Sequence, residues 1–173
     1  MLSKRPSETT KKNIILIDKL TGLVYHRSMK IFSRFLAWLD SRGRAVVIPD
    51  RTSNEPYLTR YYLFLKNRKW FPINMFIHNF HKGDPDDLHD HPWPYFTLIL
   101  KGGYWEHTPT GRHWRSPGHF RFCGSRSLHR IELEPGTDVW TFFVPGPKLR
   151  EWGFIDNGEW KHHEQYLAER YKG

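Results

Sequence analysis

Apolar and polar positions change rhythm along this chain. Between Ser28 and Arg42, Ile31, Phe35, Trp38 and Leu39 fall at i, i+4, i+7 and i+8, and Gly43 follows as a stop. That spacing predicts a helix with Lys30, Arg34 and Arg42 on its other face. Beyond Gly43 the segments shorten. Ala45–Pro49, Tyr57–Lys66, Ile73–Phe80, Tyr95–Lys101, Tyr104–Thr108, Arg112–Arg115, His119–Phe122, His129–Leu133 and Asp138–Val144 are rich in aromatic and β-branched residues. Gly, Pro, Asn or Asp divide them. Many short strands separated by turn signals predict a sandwich or barrel. Asn13–Tyr25 reads as a short strand and turn, and Gln165–Tyr171 as a short closing helix. The organisation expected is a basic flexible tail over 1–12, an N-terminal extension over 13–56 with its helix at about 28–42, a β-barrel over 57–155 and a C-terminal segment over 156–173.

Composition narrows the function classes. The 173 residues fit one domain with a sizeable core. Aromatic residues make up 16% of the chain, which suits β-structure and pocket walls. A formal net charge of +9 favours anionic partners. Basic residues scattered among aromatics (Arg34, Arg42, Arg44, Lys66, Arg68, Lys69) also fit nucleic acid, although a solvated face is the simpler reading. The one cysteine, Cys123, excludes an internal disulfide and Cys-based zinc fingers, and fits a reducing compartment. No apolar run approaches the roughly 18–20 residues of a membrane span, and the first residues carry no apolar signal core. The expectation is a cytoplasmic protein without a membrane partner.

One stretch carries chemistry. His89 and His91 sit one residue apart, just before the apolar run Thr97–Leu100. On an extended chain residues i and i+2 share a face. Two inward imidazoles are costly to bury unless something binds them. Pro92 restrains His91 to extended geometry. His129 heads a second alternating segment and supplies a third imidazole. Three neutral imidazoles with open positions suit a divalent first-row metal. The plain alternative is a barrel whose rings hydrogen-bond to one another or to water. Asp90 between them points the other way, as a loop or supporting group.

The spacing resembles the cupins. Gly83, five residues, His89-Asp90-His91 and then Gly103 are similar to the first cupin motif; Gly118 and His129 keep the outer spacing of the second. The resemblance covers roughly Ile73 to Val144. It implies a mainly β, cupin-like jelly-roll β-barrel, here with an N-terminal helical extension and a short C-terminal helix, holding a metal between His89, His91 and His129. The usual cupin glutamate would fall at Tyr95 or Phe96, so that carboxylate is missing. The remaining three-histidine set and the segment Leu88-His89-Asp90-His91 are similar to the cysteine dioxygenase branch, but that branch's Cys–Tyr pair is not placed, and Cys123 sits in the second motif. The full pattern also looks like a group of small bacterial and phage cupins.

Other residues join as candidates. Tyr95 shares the parity of the histidines and offers a phenol to substrate. His78 can line the pocket. Glu106 is a fourth-ligand or substrate contact whose side depends on where the Gly102-Gly103 turn breaks the strand. Trp140 is core or pocket wall. Arg126, on the loop before His129, joins Arg60 and Arg150 as a candidate for a carboxylate or phosphate. His162 and His163 read as exposed. The expected cofactor is a divalent ion, Fe(II) first, then Zn, Mn or Ni. The leading function is a metal-dependent cupin acting on a small anionic molecule, with non-haem iron oxygenase as first enzyme class. The alternatives are a non-enzymatic ligand-binding or sensor barrel and an accessory protein that binds nucleic acid. A homodimer through exposed strands would suit the aromatic-rich segments.

Overall fold

The computed structural model describes residues 27–66 and 71–171. The expected tail and the Asn13–Tyr25 strand lie outside the described residues. Two compact units divide at Ser41. In the first, residues 27–41 form helix α1. Gly43 follows with φ +62, the left-handed turn that ends helices and that glycine adopts at least cost. Leu36 and Leu39 are its buried residues, while Ile31 and Trp38 are 64% and 51% exposed. The apolar stripe is therefore wider than the edge that is buried.

The second unit is a β-structure with one short helix. Strands β1 (Ala45–Pro49), β2 (Pro56–Tyr62), β3 (Phe76–Phe80), β4 (Tyr95–Lys101), β5 (Tyr104–Thr108), β6 (Gly111–Arg115), β7 (Phe120–Cys123), β8 (Arg130–Glu132) and β9 (Val139–Pro145) lie close to the nine expected segments. A hairpin of β10 (Gly153–Asp156) and β11 (Glu159–His162) and helix α2 (His163–Arg170) complete it. The six-stranded sheet runs β1-β2-β3-β9-β4-β7, and a three-stranded sheet runs β6-β5-β8. Each strand pairing is antiparallel. His89 bridges His129 on one side and Phe154 on the other, which extends the smaller layer to the β10–β11 hairpin. No helix among the described residues is long and apolar enough to cross a membrane.

Alternation decides what lies between the layers. Register aligns Leu58 with Phe80 and Phe80 with Val139, and these side chains share one face of the large sheet. With Ile99 they meet Tyr104 and Ile131 of the small sheet in one buried cluster. Ile99 is 1% exposed, and its truncation to alanine costs about 2–5 kcal/mol. Further along the same face the residues turn polar: Arg60, His78 and Thr141 follow in register across β2, β3 and β9, and Thr97 pairs with Arg121 across β4 and β7. The barrel is thus packed at one end and chemically equipped at the other. The outer face of β4, β7 and β9 carries Phe96, Phe120, Phe122 and Phe142 in mutual ring contact, with Phe122 80% exposed.

Candidate metal centre

The His-x-His segment is not a strand. His89 makes isolated bridges and His91 is in a loop. Pro92 and Pro94 lack the N–H that a ladder needs, so regular pairing waits until Tyr95. Position is fixed instead by cross-links. His89 and His129 exchange both backbone hydrogen bonds at 3.0 Å, which sets two imidazoles side by side. Asp90 is 2% exposed and points away from the rings. Its carboxylate accepts from the Gly153 amide (2.8 Å) and the Trp160 indole (3.0 Å) and pairs with Arg150. Asp90 therefore ties the histidine loop to the β10–β11 hairpin. Arg150, considered above for an anion, is spent on this tie.

Gly83 explains the start of the motif. A Cβ there would lie 2.8 Å from the Ile131 carbonyl, closer than real contacts allow. The backbone passes against β8 at this point, with Asp84 accepting from the Ile131 amide at 2.6 Å. Gly118 opens the second motif with φ +84, a left-handed turn between β6 and β7.

His89, His91 and His129 converge so that one donor atom from each lies within 4.8 Å of the others. The Nε2 atoms of His91 and His129 are 2.8 Å apart. His89 Nδ1 lies 3.2 Å from the Asp87 carbonyl, so it donates there and keeps Nε2 free. Burial is the main cause that pushes His91 well below the ordinary histidine range, with the neighbouring His129 and His89 adding to it. Burial also lowers His89, against the pull of Asp84. His89 and His91 are thus held neutral, and the Nε2 atoms of His91 and His129 face one another. An imidazole pair in that geometry is served by one shared proton or by a cation, and three such nitrogens fit a divalent ion.

Glu106 stands behind His129, buried at 2% exposure. Its Oε1 lies 3.3 Å from His129 Nδ1, while Oε2 accepts from Arg115 Nε at 2.8 Å and pairs with Arg121. Burial alone would raise its pKa; the contacts with His129, Arg115 and Arg121 outweigh it and bring the carboxyl to about 2. An ionised carboxylate at Nδ1 keeps the proton on that nitrogen and presents Nε2 to the cavity. This carboxylate–histidine arrangement is the support that metal-ligating histidines commonly have. Glu106 is therefore placed to orient a ligand, with its own oxygens engaged.

A cavity of about 340 Å³ contains the three histidines, Glu106, Tyr95, His78, Thr141 and Arg60. The Tyr95 hydroxyl lies 3.4 Å from His129 Nε2. Burial, with Cys123 next, pushes this phenol well above its ordinary range, so it stays protonated. Cys123 pairs with Tyr95 in register across β4 and β7, a neighbour invisible in the sequence because 27 positions separate them. His78 is 4% exposed, faces the cavity and accepts from Arg60 Nε at 3.1 Å. Burial and the Arg60 charge hold it well below the ordinary range. Arg60 spreads over the Phe76 ring and makes no ion pair among the described residues. The nearby Asp86 is paired with Arg51, and Asp84 accepts from Tyr57 and the Ile131 amide.

Two expected residues lie elsewhere. Trp140 sits on the outer face of β9, opposite Asn79 and stacked on Tyr61; strand alternation gives the cavity face to Thr141 and Phe143. Arg126 is exposed on the loop before His129 and does not line the cavity.

No family model matches the sequence, and no curated protein is similar to it. Solved structures share its fold. A cupin-2 domain protein of Rhodospirillum rubrum aligns over 74% of this chain and 82% of its own, at 11% identity and a TM-score of 0.53. The polyketide cyclase RemF of Streptomyces resistomycificus aligns over 76% and 91%, at 15% identity and 0.54. A cupin 2 conserved barrel domain protein of Rhodopseudomonas palustris aligns over 75% and 85%, at 15% identity and 0.51. At such identities the likeness is one of architecture, and it agrees with the two facing sheets and the histidines between them: the protein has the cupin fold.

Proposed function

We propose that this protein holds a divalent metal through His89, His91 and His129 and acts there on a small anionic molecule. The observation that carries the reading is the convergence of three imidazoles, one backed by an ionised carboxylate, inside a cavity whose one free cation among the described residues is Arg60. A bound divalent ion supplies Lewis acidity, and iron in particular adds redox chemistry. The protein's own groups divide the remaining work. Arg60, its Nε held by His78, keeps its two terminal nitrogens for a carboxylate or phosphate. Tyr95 stays protonated and donates a hydrogen bond beside His129. Glu106 holds the His129 proton on Nδ1. Phe143 and Phe154 line the cavity and displace water from it. Oxygenase chemistry with Fe(II) is the first class to test. Turnover would separate an enzyme from a binding barrel of the same ligand set.

The test is metal content of untagged protein by mass spectrometry, followed by oxygen uptake with thiols and small acids. The expected result is about one ion lost together with His91→Ala, and a ligand whose affinity falls about 10- to 100-fold in Arg60→Leu. A cavity that takes no ion after reconstitution with iron, zinc or manganese would sink the reading.

A further inference from the structure

A second group of ligating side chains comes together outside the cavity. Glu151 lies on the loop between β9 and β10, His162 ends β11 and His163 opens α2. One donor atom from each lies within 4.8 Å of the others. His162 and His163 are half-buried, although neighbours in sequence on a polar segment read as exposed. Their rings are 4.4 Å apart. The hairpin causes this: β10 and β11 bring Gly153 opposite His162, and so carry Glu151 back beside it.

The rings are oriented as ligands rather than as loose surface groups. His163 Nδ1 lies 3.2 Å from the Trp152 carbonyl, which fixes the proton there and leaves Nε2 with its lone pair outward. Its ring stacks on Trp152 at 4.7 Å and 17°. His162 turns Nε2 toward Glu151 Oε2 at 3.9 Å. Its Nδ1 accepts from the Glu164 amide at 3.4 Å, and coordination through Nε2 would move the proton to Nδ1, where the Glu164 carboxylate lies 4.0 Å away. Glu151 Oε1 is held by Lys148 at 2.5 Å, which leaves Oε2 as the free oxygen. A backbone carbonyl behind one imidazole and an anion near the other is the support that ligating histidines use.

We propose that Glu151, His162 and His163 form a second divalent metal site, of zinc class, at the surface junction of the β9–β10 loop with α2. Two imidazoles and one carboxylate are a familiar zinc set and leave a position for water. The ion would clamp the segment 151–152 to the start of α2. Trp152 in that segment also faces the cavity, with its ring 6.4 Å from His89. Occupancy of the outer site would therefore fix one wall of the inner one. The cavity does not depend on it for ligands, so either site can fail alone.

Zinc titration of metal-free, untagged, full-length protein by calorimetry, with chelator competition for tight binding, tests the proposal. Wild type should take up two ions per chain. His162→Gln/His163→Gln should take up one, and so should His89→Gln/His91→Gln. Should the first double variant melt early, Glu151→Gln changes neither the cap nor the helix, and should weaken the outer ion at least about tenfold. An outer ion unaffected by Glu151→Gln, a double variant with wild-type stoichiometry, or outer binding that needs millimolar zinc would each overturn the site. A cavity that binds nothing while the outer ion persists would instead count against the function proposed above and leave this one standing.

Discussion

The two histidine clusters use the same donor atoms in opposite settings. In the cavity, His89, His91 and His129 are drawn from two chain regions about 40 residues apart and backed by a buried glutamate that two arginines hold ionised. At the surface, His162 and His163 are adjacent, and their carboxylate is half exposed and shared with a lysine. The inner cluster sits in a site built before any ion arrives; burial holds His89 and His91 neutral. The outer cluster depends on a hairpin, a stacked tryptophan and solvent-facing partners. Preorganisation should therefore separate the two in affinity and in the consequences of losing one residue, and each expected outcome below puts pressure on that difference.

The largest effect belongs to His129→Ala. It removes a ligand and the group that Glu106 supports, and it leaves a buried carboxylate with two arginines as its remaining ionic partners. Cavity metal affinity should fall by more than about 100-fold, above the range seen when only a supporting group is lost. The outer ion should stay. Calorimetric titration reads both, and circular dichroism checks the fold. Equal loss at both sites would mean that the clusters are not independent.

Glu106→Gln comes next and separates support from ligation. The three imidazoles remain, so metal should weaken about 10- to 100-fold rather than disappear. Stability reports the same residue through pH. The folded carboxyl titrates at about 2, below its ordinary value near 4.5. Its contribution is therefore present above about pH 4.5 and is lost as pH falls toward 2, amounting to about 3 kcal/mol at most. Denaturation of metal-free protein should show wild type the more stable at pH 6 and the two converging near pH 2. A constant gap across that range would place the stabilisation in shape rather than charge.

The same contrast marks what could be read in the sequence. The inner cluster was legible because its signals are local: the His-x-His spacing, Pro92, and glycines whose reason the backbone shows at Gly83 and Gly118. Strand positions followed from alternation and turn residues. What the residues alone leave open needs register. Glu106 depended on the phase after the Gly102-Gly103 turn, and its arginines come from β6 and β7. Trp140 faces outward because β9 pairs with β3 in one frame and not the other. The Tyr95–Cys123 pairing is a register fact too. The outer cluster was missed for a different reason. Asn157-Gly158, with φ +51 and +86, is the residue pair that favours a tight hairpin, and it stands in plain view between Ile155 and Trp160. Reading that turn would have brought residue 153 opposite 162, and with it a carboxylate to two histidines.

The smallest effect tests whether the clusters are joined. Trp152 stacks on His163 on one side and meets His89 edge-on at the other. If the ring transmits order, zinc at the outer site should tighten the cavity ion by about threefold or less, since coupling energies through one packed side chain are near the low end of 0.5–3 kcal/mol. By linkage the cavity ion must tighten the outer one by the same factor. Trp152→Leu should abolish both gains while leaving each stoichiometry intact. Measuring cavity affinity with and without outer zinc, in wild type and in this variant, closes the cycle. Equal affinities in all four states would mean that the tryptophan is a wall common to two independent sites, and that the outer ion acts on α2 alone.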